Sequence, residues 1–108
     1  MTLKELYKGL ADLGYPVAYG AFSQGQVPNT PFIVYHMPGT DNFSADGNMY
    51  YPISDLYIEL YTEKKDPEAE KKIEDFLMSN RLFYERQEYY IESEKYLQNI
   101  YMISIGGI

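Results

Sequence analysis

The chain has 108 residues, which predicts one domain spanning residues 1–108, and it carries a formal net charge of −7. This acidic balance has the wrong sign for replacing phosphate counterions, so direct binding to nucleic acid is disfavoured. The absence of cysteine excludes disulfides and thiolate metal sites. No apolar run approaches the roughly 18 residues of a membrane span, and the N-terminal sequence lacks the pattern of a secretory signal. We therefore expect a cytosolic product with no membrane partner.

The first predicted element is a helix that begins after Thr2. Thr2 and Glu5 have the spacing of a capping box, in which each side chain satisfies a free backbone N–H of the first turn. Apolar residues then recur at helical spacing as one stripe for burial, and Gly14 followed by Pro16 predicts the end of the helix. The members of this stripe are Leu3, Leu6, Tyr7, Leu10 and Leu13.

Two strands are predicted next. Residues 17–22 form a short strand, and the segment "PFIVYHM" at 31–37 a strong one. Both faces of the second strand are apolar, which predicts a central strand covered on both sides. Fifteen residues, 38–52, separate it from the following strand and predict a long loop. Loops of that length in a compact domain tend to be functional or disordered.

The third strand, "ISDLYIELYT" at 53–62, alternates cleanly. Leu56, Ile58 and Leu60 are predicted to face the core, and Tyr57 and Glu59 belong to an aromatic and acidic opposite face that also contains Asp55 and Tyr61.

A second helix is predicted to begin at the N-cap Asp66, with Pro67 at the first helical position. Its buried stripe consists of Ala69, Ile73, Phe76 and Leu77, and its charged residues are interpreted as a solvated face with pairs such as Glu68–Lys72. Two further strands, "LFYERQEYYIE" and "KYLQNIYMISI", are predicted, joined by a turn or a single helical turn at 93–95. The sequence therefore predicts an α+β fold, with an antiparallel-dominated sheet of about five strands packed by two helices.

The segment "FSADGNMYY" at 43–51 resembles part of a calcium loop. With Gly47 at the sixth position, Asn42, Ser44 and Asp46 occupy ligand positions, but the twelfth position is Ile53 where a bidentate glutamate is required. Asp46-Gly47 is therefore interpreted as a turn in which glycine takes a positive φ.

The sequence offers no catalytic constellation. His36 is the only histidine and is interpreted as a packed or hydrogen-bonded residue of the sheet. Asp55 and Glu59 lie about 13 Å apart along one strand, too far for the carboxylate pair of a retaining glycosidase. We predict no enzyme activity, no cofactor and no metal site. The rival enzyme hypothesis is a metal-dependent hydrolase using Asp46, Asp55 and Glu59.

In their order and spacing, four segments resemble the small tail-completion proteins of long-tailed bacteriophages and prophages. These segments are "VAYGAF", "PFIVYHMPGTDNFSADGNMYY", "YIELYTEKKDPEAEKKIEDFL" and "EYYIESEKYLQNIYMISI", and together they cover roughly residues 15–105. The most specific pieces are Asn42 to Asp46 and the junction from Glu59-Leu60-Tyr61-Thr62 to Lys65-Asp66.

This resemblance implies a tail-terminator or head–tail joining protein of the virion, assembled in the bacterial cytoplasm. Such subunits form a ring, commonly a hexamer, that caps the tail tube and meets the head connector. The partners implied are therefore other copies of the chain, the tail tube protein and head-connector proteins. Phe43, Tyr50 and Tyr51 are the expected assembly contacts, and the face formed by Tyr57, Glu59 and Tyr61 is the second choice. Glu59 would there pair with a neighbour's Lys or Arg.

One further reading remains open at this point. The chain could be a monomeric adaptor or regulatory module that binds another protein through its acidic, tyrosine-rich sheet face. The sequence contains 13 tyrosines, and tyrosine suits half-buried sheet faces and interfaces alike.

Overall fold

The computed structural model describes residues 1–45 and 48–106. These residues form a single α+β domain with a five-stranded sheet in the order β1-β2-β3-β5-β4. Only β1 and β2 pair in parallel, and the other neighbours are antiparallel, so the predicted fold class is confirmed. The elements are α1 (Leu3–Ala11), β1 (Val17–Tyr19), β2 (Phe32–Ala45), β3 (Asn48–Thr62), α2 (Pro67–Ser79), β4 (Tyr84–Ile91) and β5 (Tyr96–Gly106).

Helix α1 begins as predicted and ends earlier than predicted. The backbone N of Glu5 donates to Thr2 Oγ1 at 3.1 Å, and Thr2 N donates to Glu5 Oε1 at 3.0 Å, which completes the capping box. The helix ends at Ala11, before Gly14. Its buried stripe is narrower than predicted because Leu3 and Tyr7 are 39% and 47% exposed at the margin of the packed face.

Helix α2 begins as predicted, since Asp66 Oδ1 accepts a hydrogen bond from Ala69 N at 3.0 Å and Pro67 follows the cap. One charged residue departs from the interpretation of a solvated face. Glu70 is only 5% exposed, and its carboxylate binds Lys65 at 2.9 Å and Arg86 at 2.5 Å. Lys65 lies five residues before Glu70, ahead of the helix, and Arg86 lies on β4, so spacing within the helix does not predict the cluster.

Both helices cover the same face of the sheet. The core between helices and sheet contains side chains from α1, α2, β2, β3 and β5, and the turn before β4 adds Leu82. Its fully buried members are Leu6, Leu10, Ile33, Leu56, Ile58, Leu60, Ala69, Ile73, Leu77 and Tyr101. The prediction that Leu56, Ile58 and Leu60 face the core is confirmed. The other face carries no helix in the described residues and is called the helix-free face below.

The predicted loop at 38–52 is wrong, because β2 and β3 continue through it as one long hairpin. Their pairing runs from Phe32↔Tyr61 to Ala45↔Asn48. Pro38 is accommodated by a bulge, in which Met37 and Pro38 lie opposite Leu56, and a bulge is one of the few sheet positions that tolerate proline. The turn predicted at Asp46-Gly47 lies outside the described residues.

The end of this hairpin extends beyond the rest of the sheet. Strand β5 pairs with β3 only as far as Ile53↔Gly106, so residues 42–45 and 48–52, called the arm below, pair only with each other among the described residues. Five residues of antiparallel strand span about 17 Å. The molecule is correspondingly elongated, with extents of 48 × 30 × 23 Å.

The remaining strands differ from prediction in their bounds. Strand β1 covers Val17–Tyr19 instead of 17–22, and β4 begins at Tyr84. The turn between β4 and β5 occupies residues 92–95.

Candidate functional site

Tyr57, Glu59 and Tyr61 lie together on the helix-free face. The β2–β3 register places them opposite His36, Val34 and Phe32, respectively. All three are partly buried, although no helix covers them, because neighbouring side chains of the same face surround them. Strand alternation alone predicts that the three residues share a face. It does not predict which residues of β2 lie beside them, because that is set by the register between the two strands.

Glu59 is the centre of a hydrogen-bond network. Its Oε2 lies 2.9 Å from Nε2 of His36, and its Oε1 accepts a hydrogen bond from the Tyr61 hydroxyl at 2.7 Å. The Glu59 side chain is 13% exposed. Each carboxylate oxygen therefore has one partner within the chain. The pairing of Glu59 with a neighbour's Lys or Arg stays a prediction, because a carboxylate oxygen can accept a second hydrogen bond.

Tyr61 extends the network to β5. Its hydroxyl accepts a hydrogen bond from Gln98 Nε2 at 2.9 Å while donating to Glu59. Burial raises the pKa of Tyr61, and the adjacent Glu59 carboxylate raises it further. The phenol therefore stays protonated, and keeps donating to the Glu59 carboxylate, to a higher pH than the phenol of an exposed tyrosine. Sequence reasoning missed Gln98 and the His36–Glu59 contact, because only the β2–β3 and β3–β5 registers bring these residues together.

An aromatic cluster continues the helix-free face beyond this network. The Phe32 ring stacks on Tyr61 with centroids 5.0 Å apart, and it meets Phe22 and Tyr96 edge-to-face at 5.4 and 5.6 Å. Phe22 belongs to the segment that follows β1. An open cleft of about 440 Å³ lies over this cluster and is lined in part by Val27. We call it the aromatic cleft.

The arm holds the first-choice contacts Phe43, Tyr50 and Tyr51. Asn42 pairs with Pro52, and Ser44 pairs with Met49. One residue of β2, Phe43, therefore lies opposite two residues of β3, Tyr50 and Tyr51, which makes a second bulge. The backbone brings the three predicted contacts to one irregularity of the hairpin, and such bulges bend and twist a strand pair.

The rival metal-hydrolase hypothesis has no assembled site in the part of the chain that can be described. Among residues 1–45 and 48–106, no group of three or more His, Cys, Asp or Glu side chains is placed to hold a metal ion. Asp46, one of the three residues of that hypothesis, lies outside the described residues. No helix in the described chain is long and apolar enough to cross a membrane.

The fold has a counterpart among solved structures. No protein-family model and no curated protein matches the sequence. A chain of the virion of a native gene transfer agent (GTA) particle is similar in structure, with a TM-score of 0.57 and 14% sequence identity. The similarity covers 94% of this chain and 92% of that chain. The two proteins therefore share their fold over nearly their whole length.

Proposed function

We propose that this protein is a structural subunit of a phage or phage-like virion. Within that class, we assign it as a tail-completion subunit, a tail terminator or head–tail joining protein, that forms a ring at the end of the tail tube. Two observations support this proposal. One is the order of sequence segments that resembles the tail-completion family, and the other is the fold shared with a chain of a GTA virion.

The observation that carries the assembly role is the arm. A two-stranded hairpin on its own is marginally stable in water, and packing against further structure is needed for stability. No third strand pairs with the arm among the described residues. A neighbouring subunit or the tail tube would supply a further strand or a surface against which the arm packs. The arm sequence "NFSA…NMYYP" contains three aromatic residues, the residue type that dominates the energetics of protein interfaces.

The net charge fits a ring around a channel that DNA crosses. With 16 acidic and 9 basic residues, the chain lacks the basic surplus that would hold phosphates as they pass. The role proposed is therefore structural, with no catalytic step, and the partners are copies of the chain, the tail tube protein and head-connector proteins.

Solution mass across a wide concentration range tests the ring. We expect light scattering after size exclusion to show a discrete oligomer, commonly a hexamer in the family that the sequence resembles, or a monomer that moves towards one as concentration rises. The double variant Tyr50→Ser/Tyr51→Ser is expected to lose assembly while its circular dichroism stays that of a folded chain. The matched control Tyr50→Phe/Tyr51→Phe keeps both rings and is expected to assemble. Equal assembly of both double variants would remove the arm from the interface.

The aromatic cleft favours a second candidate, the monomeric protein-binding module. Apolar clefts with a few polar groups are common binding sites, and this one is complete within a single chain. That function predicts a strict monomer at every concentration that captures its partner through residues such as Phe22 and Tyr96. A chain that remains monomeric and fails to bind tail tube protein would favour it over the ring.

A further inference from the structure

An open hollow of about 440 Å³ lies at the margin of the helix-free face, where β4 begins. Asp55 of β3 and Glu85 of β4 both line it, and neither carboxylate is in a salt bridge with another described residue. Its described lining contains no Lys or Arg and includes the apolar side chains of Phe83 and Met102. Phe83 is 74% exposed. We call this site the acidic hollow, since it combines two carboxylates with apolar surface.

The exposed side of α1 carries the opposite charge. Lys4 and Lys8 are exposed, and neither is in a salt bridge with another described residue. Leu3 and Tyr7 are 39% and 47% exposed. Spacings of three and four residues place these four side chains on neighbouring positions of one helix surface. This surface, called the α1 strip below, presents two ammonium groups beside apolar side chains.

The α1 strip cannot reach the acidic hollow of its own chain. Helix α1 packs on the helix-covered face of the sheet, beside β1. Asp55 belongs to the opposite, helix-free face, on the far side of β2. A sheet face with apolar side chains is stabilised when another element covers it. The helix of a second copy can therefore supply a cover that the chain's own helices do not.

The strand registers place the α1 strip and the acidic hollow at the same level along the strands. The successive pairings from β4 through β5 and β3 to β2 bring Glu85 level with His36. The adjacent residue of β2 is Tyr35, and its ring centroid lies 6.4 Å from that of Tyr7 on α1. A second copy rotated about an axis parallel to the strands keeps this level, so its α1 strip can lie over the hollow of the first copy with the two subunits overlapping.

We infer that the α1 strip of one subunit docks over the acidic hollow of the next copy of this chain, with Lys4 and Lys8 beside Asp55 and Glu85. The contact joins two different surfaces, and repeated contacts of this kind close into a ring when the rotation divides a full turn. This inference rests on the proposed ring and names a contact within it, in addition to those of the arm. The hydrogen bonds of Glu59 stay intact, because Glu59 does not line the hollow.

Charge reversal tests the contact. The variant Lys4→Glu/Lys8→Glu makes the strip acidic, and Asp55→Lys/Glu85→Lys makes the hollow basic. Like charges then face each other across the interface. We expect each variant to require a concentration about tenfold or more above that of the wild type for assembly, as measured by light scattering after size exclusion. The variant that combines all four substitutions restores opposite charges and is expected to assemble near the wild-type concentration.

The matched control is Lys64→Glu/Lys71→Glu, which changes the net charge as much as reversal of the strip does but lies outside it. This control should assemble like the wild type, and circular dichroism checks that every variant is folded. Phe83→Ser provides a second test that is independent of charge. Because the Phe83 side chain is largely exposed, this variant should fold, and it should assemble less readily than Phe83→Tyr, which keeps the ring.

The outcomes separate this contact from the proposed ring. A discrete ring that forms equally in the wild type and in both reversed variants would overturn the contact and leave the ring intact. A folded combined variant that does not recover assembly, a control that loses assembly as the reversed strip does, or equal assembly of the two Phe83 variants would also overturn it. A wild-type chain that is monomeric at every concentration would refute the ring and the contact together.

Discussion

The packing of α1 on α2 makes an unusual prediction for Gly9→Ala. Glycine in a helix interior normally costs about 0.5–1 kcal/mol relative to alanine, so this substitution would ordinarily stabilise α1. Here a Cβ on Gly9 would lie 2.6 Å from Cζ of Phe76, and nearer still to Cε1. Ordinary contacts of a Cβ lie at 3.4–4 Å. The ring of Phe76 must therefore move, or the two helices must separate.

The two effects oppose each other, and their magnitudes decide the sign. Overpacking of this kind typically costs about 1–3 kcal/mol, which exceeds the gain in helix propensity. We expect Gly9→Ala to lower the free energy of unfolding by up to about 2 kcal/mol. Phe76→Leu removes Cε1 and Cζ, so in that background the same Gly9→Ala substitution should raise the free energy of unfolding by up to about 1 kcal/mol.

Urea unfolding of the wild type, both single variants and the double variant measures this coupling as a double-mutant cycle. The expected coupling energy is about 1–3 kcal/mol and favours the double variant. Thr2→Ser, at the cap of the same helix, is a control that should not couple to Phe76→Leu. If Gly9→Ala stabilises the wild type and the Phe76→Leu variant by the same amount, the close approach of α1 and α2 at Gly9 is wrong.

Three other predictions concern buried or capping groups. The Asn99 side chain is fully buried, and neither of its polar atoms has a hydrogen-bond partner among the described residues. Asn99→Leu should therefore raise the free energy of unfolding by about 1–3 kcal/mol. A loss of stability in urea unfolding would contradict this prediction. Burial raises the pKa of both Tyr61 and Tyr101. Their contribution to the free energy of unfolding is therefore complete below about pH 10, the ordinary pKa of tyrosine. It falls as the pH rises from there towards the pKa values of the folded chain, because in that range only the unfolded chain ionises these phenols. In an absorbance titration these two phenols should ionise only together with unfolding, and their ionisation in the folded chain alongside the exposed tyrosines would refute the assignment. Asp66→Ala should cost about 1 kcal/mol by removing the N-cap of α2, while Asp66→Asn should cost much less, and equal thermal shifts for the two would argue against the cap.

The elements that sequence predicted best are those fixed by local chemistry. Asp66 and Pro67 define the start of α2 because a capping oxygen and a proline act within one turn. Thr2 and Glu5 do the same for α1. The alternation from Leu56 to Tyr61 assigned each side chain to the correct face, because period two is a property of a single strand.

The features that sequence missed depend on pairing between distant segments. Pro38 and Gly39 predict a strand end, yet a bulge opposite Leu56 lets β2 continue. Local signals cannot reveal a bulge, since it is defined by the partner strand. The sequence does not predict the contact of His36 with Glu59 or the ion pair of Glu70 with Arg86 for the same reason: each joins elements whose relative position is set by tertiary packing.

The network around Glu59 bears on which surface is suited to assembly. Glu59 is only 13% exposed, which leaves a neighbour's basic residue little access to its carboxylate, and a rearrangement that broke the bond to His36 or Tyr61 would leave a partly buried donor unpaired at a cost of about 1–3 kcal/mol. The outer edges of the arm carry no such cost, because their unpaired backbone groups gain partners when a strand is added. The helix-free face is thus better suited to holding β2, β3 and β5 in register, and under the proposed ring the arm is the surface better suited to contact a neighbour. Under the proposed function, the face formed by Tyr57, Glu59 and Tyr61 stabilises the β2–β3 hairpin, and the arm at the end of that hairpin makes the assembly contacts.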